Sequence, residues 1–127
     1  MGNKVILGKR PETFKRVVAF KTLDDAELQI NCEFKYRTKT EFGAFIDGIL
    51  SDAGLKREGG EEFSMSTLME KTVDKNTYYL LEVLKGWDLE VDLVEDAARQ
   101  LCNELPAAAT AIMEAYSLAC REGRLGN

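Results

Sequence analysis

Three groups of residues have types and spacings that could do chemistry. Glu58, Glu61 and Glu62 are close enough in sequence to act as a general acid and base pair. Asp88, Glu90 and Asp92 alternate like the first ligands of a calcium loop. Gly8-Lys9 matches the end of a glycine loop that cradles phosphate. Each lacks something its chemistry needs. The glutamates lie in a charged, glycine-rich stretch, KREGGEEFS, with nothing to bury a carboxylate and shift its pKa. In the calcium frame Leu93 stands in the glycine position and Arg99 in that of the closing bidentate Glu, so the shell cannot close. In the phosphate frame Asn3 replaces the first glycine, and Arg10 replaces the Ser or Thr that would hold magnesium. The chain has no histidine, which removes the commonest general base, Ser-His-Asp and Cys-His catalysis, and imidazole metal sites. Its three cysteines, Cys32, Cys102 and Cys120, show no paired spacing for zinc. The expectation is a protein that is not an enzyme, with no cofactor and no metal.

The totals point the same way. At 127 residues the chain makes one domain, large enough to bury a core without disulfides. A net charge of -5 and a pI near 4.9 disfavour phosphate backbones and anionic membrane, so neither nucleic acid nor membrane is an expected partner. No apolar run approaches the roughly 18 residues of a membrane span, and the N-terminus lacks a signal-peptide core. Cys32 and Cys102 sit at apolar positions of periodic stretches, as reduced core thiols of a cytosolic protein do.

The elements that must position any site follow from periodicity. Residues 1–12 mix glycine, proline and basic residues without period and read as a flexible arm. Over 13–37, Phe14, Val18 and Phe20 share one strand face. Leu28, Ile30, Cys32, Phe34 and Tyr36 share another, with only polar residues between them, which predicts an antiparallel β-hairpin with one wet face. Keeping both apolar sets on one side requires an odd-numbered loop around Asp24 and Asp25, and charge favours Lys21 opposite Glu27 and Lys15 opposite Glu33. Two strands are not stable alone, so the hairpin packs on helices, and its free edge is a candidate assembly surface.

Thr38 and Glu41 form a capping box for a helix over 38–55, with Phe42, Phe45, Ile46, Ile49, Leu50 and Ala53 on its apolar stripe and Gly54 as its stop. Residues 56–64 read as a mobile connector. The part from 65 to 122 reads as helical. A short helix carries Met65, Leu68, Met69 and Val73 and leads into a second over 75–85, capped by Asp74 and closed by Gly86, which folds Trp87 back on the last turn. Residues 87–93 then alternate as an extended segment. Glu95 and Asp96 open an acidic helix start, and Pro106 opens a final alanine-rich helix despite Leu105 being a poor cap, giving a C-terminal helical hairpin. Residues 123–127 form a frayed tail. The fold class is α+β: an N-terminal antiparallel β-hairpin packed against four to five α-helices. Among these elements, Phe63, Met65, Leu68 and Met69 combine flexible thioethers with a neighbouring mobile connector, a composition suited to an adaptable apolar groove as well as to gap filling in a core.

The series Leu84, Gly86, Trp87, Asp88, Leu89, Val91, Leu101, Pro106, Ala107, Ala108, Ile112 and Tyr116 resembles the phage tail assembly chaperone family, in residues and in order of elements. The resemblance covers Leu81 to Tyr116 closely and the N-terminal part by pattern. It implies a protein of the host bacterial cytoplasm that binds the phage tape measure protein, keeps it soluble until the tail tube forms around it, and is absent from the mature virion. It also implies a longer form, made by translational frameshift near the C-terminus, that reaches the tail tube protein. The client surface expected on this basis is Phe63, Met65, Leu68 and Met69 with Trp87 nearby. The alternative is a structural tail or head-tail component that forms a ring, and a homo-oligomer is open to either.

Overall fold

In the computed structural model, which describes residues 4–52 and 64–123, the alternation read over residues 28–36 forms the middle of a sheet. Strand β1 (Thr13–Lys21) pairs antiparallel with β2 (Glu27–Lys35), and β2 pairs antiparallel with β3 (Leu84–Trp87), in the order β1-β2-β3. Four helices are described: α1 (Lys39–Asp52), α2 (Met65–Val83), α3 (Glu95–Glu104) and α4 (Pro106–Glu122). The architecture is α+β.

The hairpin has the register that charge and patterning require. Lys21 stands opposite Glu27 and Lys15 opposite Glu33, leaving an odd loop of five residues, Thr22 to Ala26. The Asp25 N–H donates to the Thr22 carbonyl at 3.0 Å, and Asp25 then takes a left-handed φ of 65°. Such a φ is tolerated by Asp because its short side chain can bond locally. Val18, Phe20, Ile30, Cys32 and Phe34 are buried on the inner face, while Leu28, next to the turn, is exposed.

The helices close over that inner face. The capping box forms as read: the Thr38 N–H donates to Glu41 at 2.9 Å, and the Glu41 N–H donates back to the Thr38 hydroxyl at 3.3 Å. The expected stop at Gly54 lies outside the described residues. Pro106 does begin α4, with Leu105 ahead of it making no side-chain cap. Ala108 and Ala109 are fully buried, and the small side chains let α4 lie close against β1. α3 packs chiefly on α2, so the two C-terminal helices each rest on another element more than on one another.

Three expectations around residues 74 to 93 are corrected. α2 is one helix of 19 residues, with no glycine or proline to interrupt it, and its cap is Ser64, whose hydroxyl accepts from the Thr67 N–H at 3.3 Å. Asp74 therefore lies mid-helix, where it forms an ion pair with Arg99 of α3. The helix also ends without glycine. Leu84 goes straight into the sheet, and Gly86 and Trp87 belong to β3. Pairing of Leu84 with Phe34 and of Gly86 with Glu33 leaves Lys85 as the extra residue of a bulge. The bulge puts Leu84 and Trp87, three apart, on the same inner face, a spacing that looks helical in sequence. Beyond Trp87 the chain is irregular rather than extended. The Asp88 carboxylate carries the ladder one step further by accepting from the Asn31 backbone N–H at 2.9 Å and from its side-chain amide.

Tyr116 of α4 sits at the centre of the packing, fully buried. Its ring lies 5.3 Å from Phe34, 5.8 Å from Phe42, 6.1 Å from Phe14 and 6.4 Å from Tyr79, centroid to centroid. Its hydroxyl donates to the Lys35 carbonyl at 2.8 Å and accepts from Arg37 at 3.0 Å. Arg37 also donates to the Glu82 carbonyl at 3.3 Å and stacks 4.3 Å over the Phe45 ring. One guanidinium thus ties the end of β2 to α1, α2 and α4.

Replacing Tyr116 with Phe keeps the ring and strands both partners of the hydroxyl, so urea denaturation should show a loss of about 1–3 kcal/mol; an unchanged midpoint would show that the hydroxyl holds nothing. Asp88 is held below its ordinary carboxylate value by the Asn31 side chain first and by the Asn31 backbone N–H second. A group lowered in this way stabilises the fold above its unfolded pKa, and the contribution is lost as pH falls through the folded value. Asp88→Asn should lower stability at neutral pH and flatten the acid limb of a stability–pH curve below about pH 4. A limb as steep as that of the parent would contradict this.

Candidate binding surface

The first turns of α2 stand clear of the core. From Ser64 to Glu70 every residue is exposed except Leu68, which is half-buried, whereas Thr77, Tyr79, Leu80 and Val83 further along are buried. Helical spacing puts Met65, Leu68 and Met69 on one stripe of this projecting end. Met65 is 58% exposed and Met69 48%. This end is capped by Ser64, and the Thr72 hydroxyl donates to the Leu68 carbonyl at 2.9 Å, with little of it buried.

Met69 and Val73 line a groove of about 320 Å³ between α2 and α3, rimmed by Glu70, Asp74, Arg99 and Asn103. Arg99 pairs with Asp74 and, at 3.5 Å, with Glu95, so the α3 side of the groove is fixed by ion pairs. These pairs are exposed and contribute little to stability, but they hold Arg99 across the groove mouth.

Of the residues expected to act together, Met65, Leu68 and Met69 are brought onto one surface. Phe63 lies outside the described residues. Trp87 is not beside them: it follows the far end of α2, and Met69 to Val83 alone spans roughly 20 Å of helix. It is half-buried against the core, and its indole N–H donates to the Val91 carbonyl at 2.7 Å.

A second apolar hollow, of about 420 Å³, opens between α1, α2 and α4, lined by Phe42, Ile46, Tyr79 and Met113 with Glu114 and Arg121 at its rim. In sequence these residues are spread over three separate helices, and only the meeting of the three makes a groove of them. A further hollow of about 440 Å³ lies on the outer sheet face over Lys15, Val17, Asn31, Glu33, Gly86 and Asp88, its lining mostly apolar with charged side chains at the border.

Among the described residues neither the thiols nor the carboxylates cluster into a reactive centre, and Glu58, Glu61 and Glu62 lie outside those residues. Cys32, Cys102 and Cys120 are buried and unpaired. Burial, with the Asp88 charge adding to it, pushes the Cys32 thiol up to about 12. Burial also raises Cys102 and Cys120 despite hydrogen bonds from Thr77 and Tyr116 that work the other way. Among the described residues no group of three or more Cys, Asp or Glu is placed to hold a metal ion, and no helix is long and apolar enough to cross a membrane. What the surface offers is apolar contact area with charged margins.

A model of a family described as phage tail assembly chaperone matches residues 1–127, the whole chain. Comparison with the curated proteins and with the solved structures gives no match.

Thiols raised and buried in this way should not react with an aromatic disulfide reagent at pH 8 in the folded protein, and all three should react in denaturant. Rapid labelling of any one in the native state would place it at the surface.

Proposed function

Because the chain belongs to the phage tail assembly chaperone family, we propose that it serves tail assembly by binding the tape measure protein through the projecting end of α2. On this proposal it keeps that long helical client soluble in the host cytoplasm until tube subunits surround it, takes no catalytic step, and leaves before the virion is complete. The observation that carries the proposal is the Met65, Leu68 and Met69 stripe on helical turns that the fold leaves unpacked. An apolar helix stripe recognises another amphipathic helix by burying both, and thioether side chains adapt to varied surfaces along a long client. Phe63, two residues before Met65 in sequence, belongs to the same proposed contact, and Trp87 can join only as a separate one.

The test is co-expression with the tape measure protein of the same phage, comparing soluble client with and without this chain and following co-purification. Stable co-purification with rescued solubility is the expected result. Met65→Glu combined with Met69→Glu should cut capture by on the order of tenfold or more while changing the melting temperature little, since both side chains are already about half exposed. A large fall in melting temperature with capture retained would assign the methionines to the core. Absence of capture and of rescue, with this chain forming a closed ring retained in purified particles, would favour the structural tail component instead.

A further inference from the structure

Two exposed surfaces of opposite charge remain outside the proposed client contact. The first is the arm before β1. Val5, Ile6 and Leu7 are 88%, 60% and 92% exposed, between Lys4 and Lys9. The arm is held at its base, not along its length: Arg10 pairs with Glu41 at 2.9 and 3.3 Å and lies 5.6 Å from the Tyr36 ring centre. Gly8, with a φ of +86° open to glycine and strained for other residues, turns the chain just outside that anchor. Lys4 to Leu7 therefore project as a short cationic, apolar segment.

The second is the loop from β3 to α3. Leu89 and Leu93 turn into the core, and the Trp87 indole fixes the loop through Val91, which leaves Val91 and Val94 55% and 53% exposed. Of its acids, Asp88 is engaged by Asn31 and Glu95 by Arg99, whereas Glu90, Asp92 and Asp96 have no partner among the described residues, as is true of Lys4 and Lys9.

We propose that the arm of one copy docks on the β3–α3 loop of a second copy, Val5, Ile6 and Leu7 covering Val91 and Val94 while Lys4 and Lys9 meet Glu90, Asp92 and Asp96. Charge selects this pairing, since arm on arm and loop on loop set like charges together. Within one copy the two surfaces leave each other uncovered, with Val5, Leu7, Val91 and Val94 all exposed, and the cover comes from a second copy. The arm leaves from the Thr13–Lys35 end of the sheet on the β1 side, and the loop leaves from the β3 side beyond Asn31, which lies about 17 Å along β2 from Tyr36. Donor and acceptor surfaces differ, so the contact runs head to tail and its two ends stay available. It is small and belongs with transient interfaces, so it shows at high protein concentration and weakens with salt. It does not use α2, and its failure leaves the client proposal as it stands.

Sedimentation velocity on the full chain over a concentration series tests this. The parent should associate beyond a dimer at low salt. Lys4→Glu with Lys9→Glu should weaken association by on the order of tenfold, as should Glu90→Lys with Asp92→Lys. An equimolar mixture of the two variants restores it, because each then meets an opposite charge on the other. All four sites are exposed, and circular dichroism confirms folding; the arm variant, altered outside every strand and helix, carries the test if the loop variant misfolds. A parent that stays monomeric, association that survives the arm reversal, or a mixture of folded variants that fails to restore it would overturn the proposal. Survival of the arm reversal would place self-contact elsewhere, with the unpaired edge of β1 the next surface to alter.

Discussion

The fold depends on the bond between Tyr116 and the end of β2. A phenol buried among Phe14, Phe34, Phe42 and Tyr79 must satisfy its hydroxyl, and it does so on the Lys35 carbonyl and the Arg37 guanidinium. A phenol is already a proton donor at neutral pH, and burial raises that of Tyr116 further above its usual range, so it stays one into alkaline solution. Arg37, in turn, is held by the Glu82 carbonyl and by the Phe45 ring. Each of the helices it joins has its own local stability, but their mutual placement is set where these polar groups meet inside an aromatic cluster. A partly satisfied network there would be worse than an apolar one, so the arrangement is specific as well as stabilising.

This placement also decides which surfaces are left over. With α4 laid on β1 and α3 on α2, the sheet side and the far half of α2 are consumed by the core. The first turns of α2, the arm and the β3–α3 loop lie at the periphery of that core and keep their apolar side chains exposed. The contact areas proposed above lie at these margins, where losing a partner costs the fold nothing.

Much of this was legible from residue order. The hairpin register followed from charge opposition and the parity of the loop, and the Thr38–Glu41 box marked the start of α1, because both are local rules with one solution. The exposed Met65 and Met69 stripe was visible as a pattern, but not whether the stripe was covered. The passage from α2 to β3 is hidden from local pattern for a physical reason. Leu80, Leu84 and Trp87 keep helical spacing across a strand because the Lys85 bulge adds one residue, and Asp74 resembles a cap although its partner, Arg99, is distant in sequence. Tertiary pairing overrode glycine as a stop signal: Gly86 found a place opposite Glu33, which no local pattern discloses. The groove of Phe42, Ile46, Tyr79 and Met113 was hidden in the same way, since it exists only where three helices meet.

That α4 covers β1 joins the two extremes of the described chain, and this bears on synthesis. The hairpin leaves the ribosome early, yet its inner face is not sealed until Ile112 and Tyr116 have emerged, roughly eighty residues after Phe34. Until then Val18, Phe20, Ile30 and Phe34 present an open apolar sheet. A nascent chain of this protein passes through the same hazard that a holdase relieves in others, and a prematurely ended chain would remain in it.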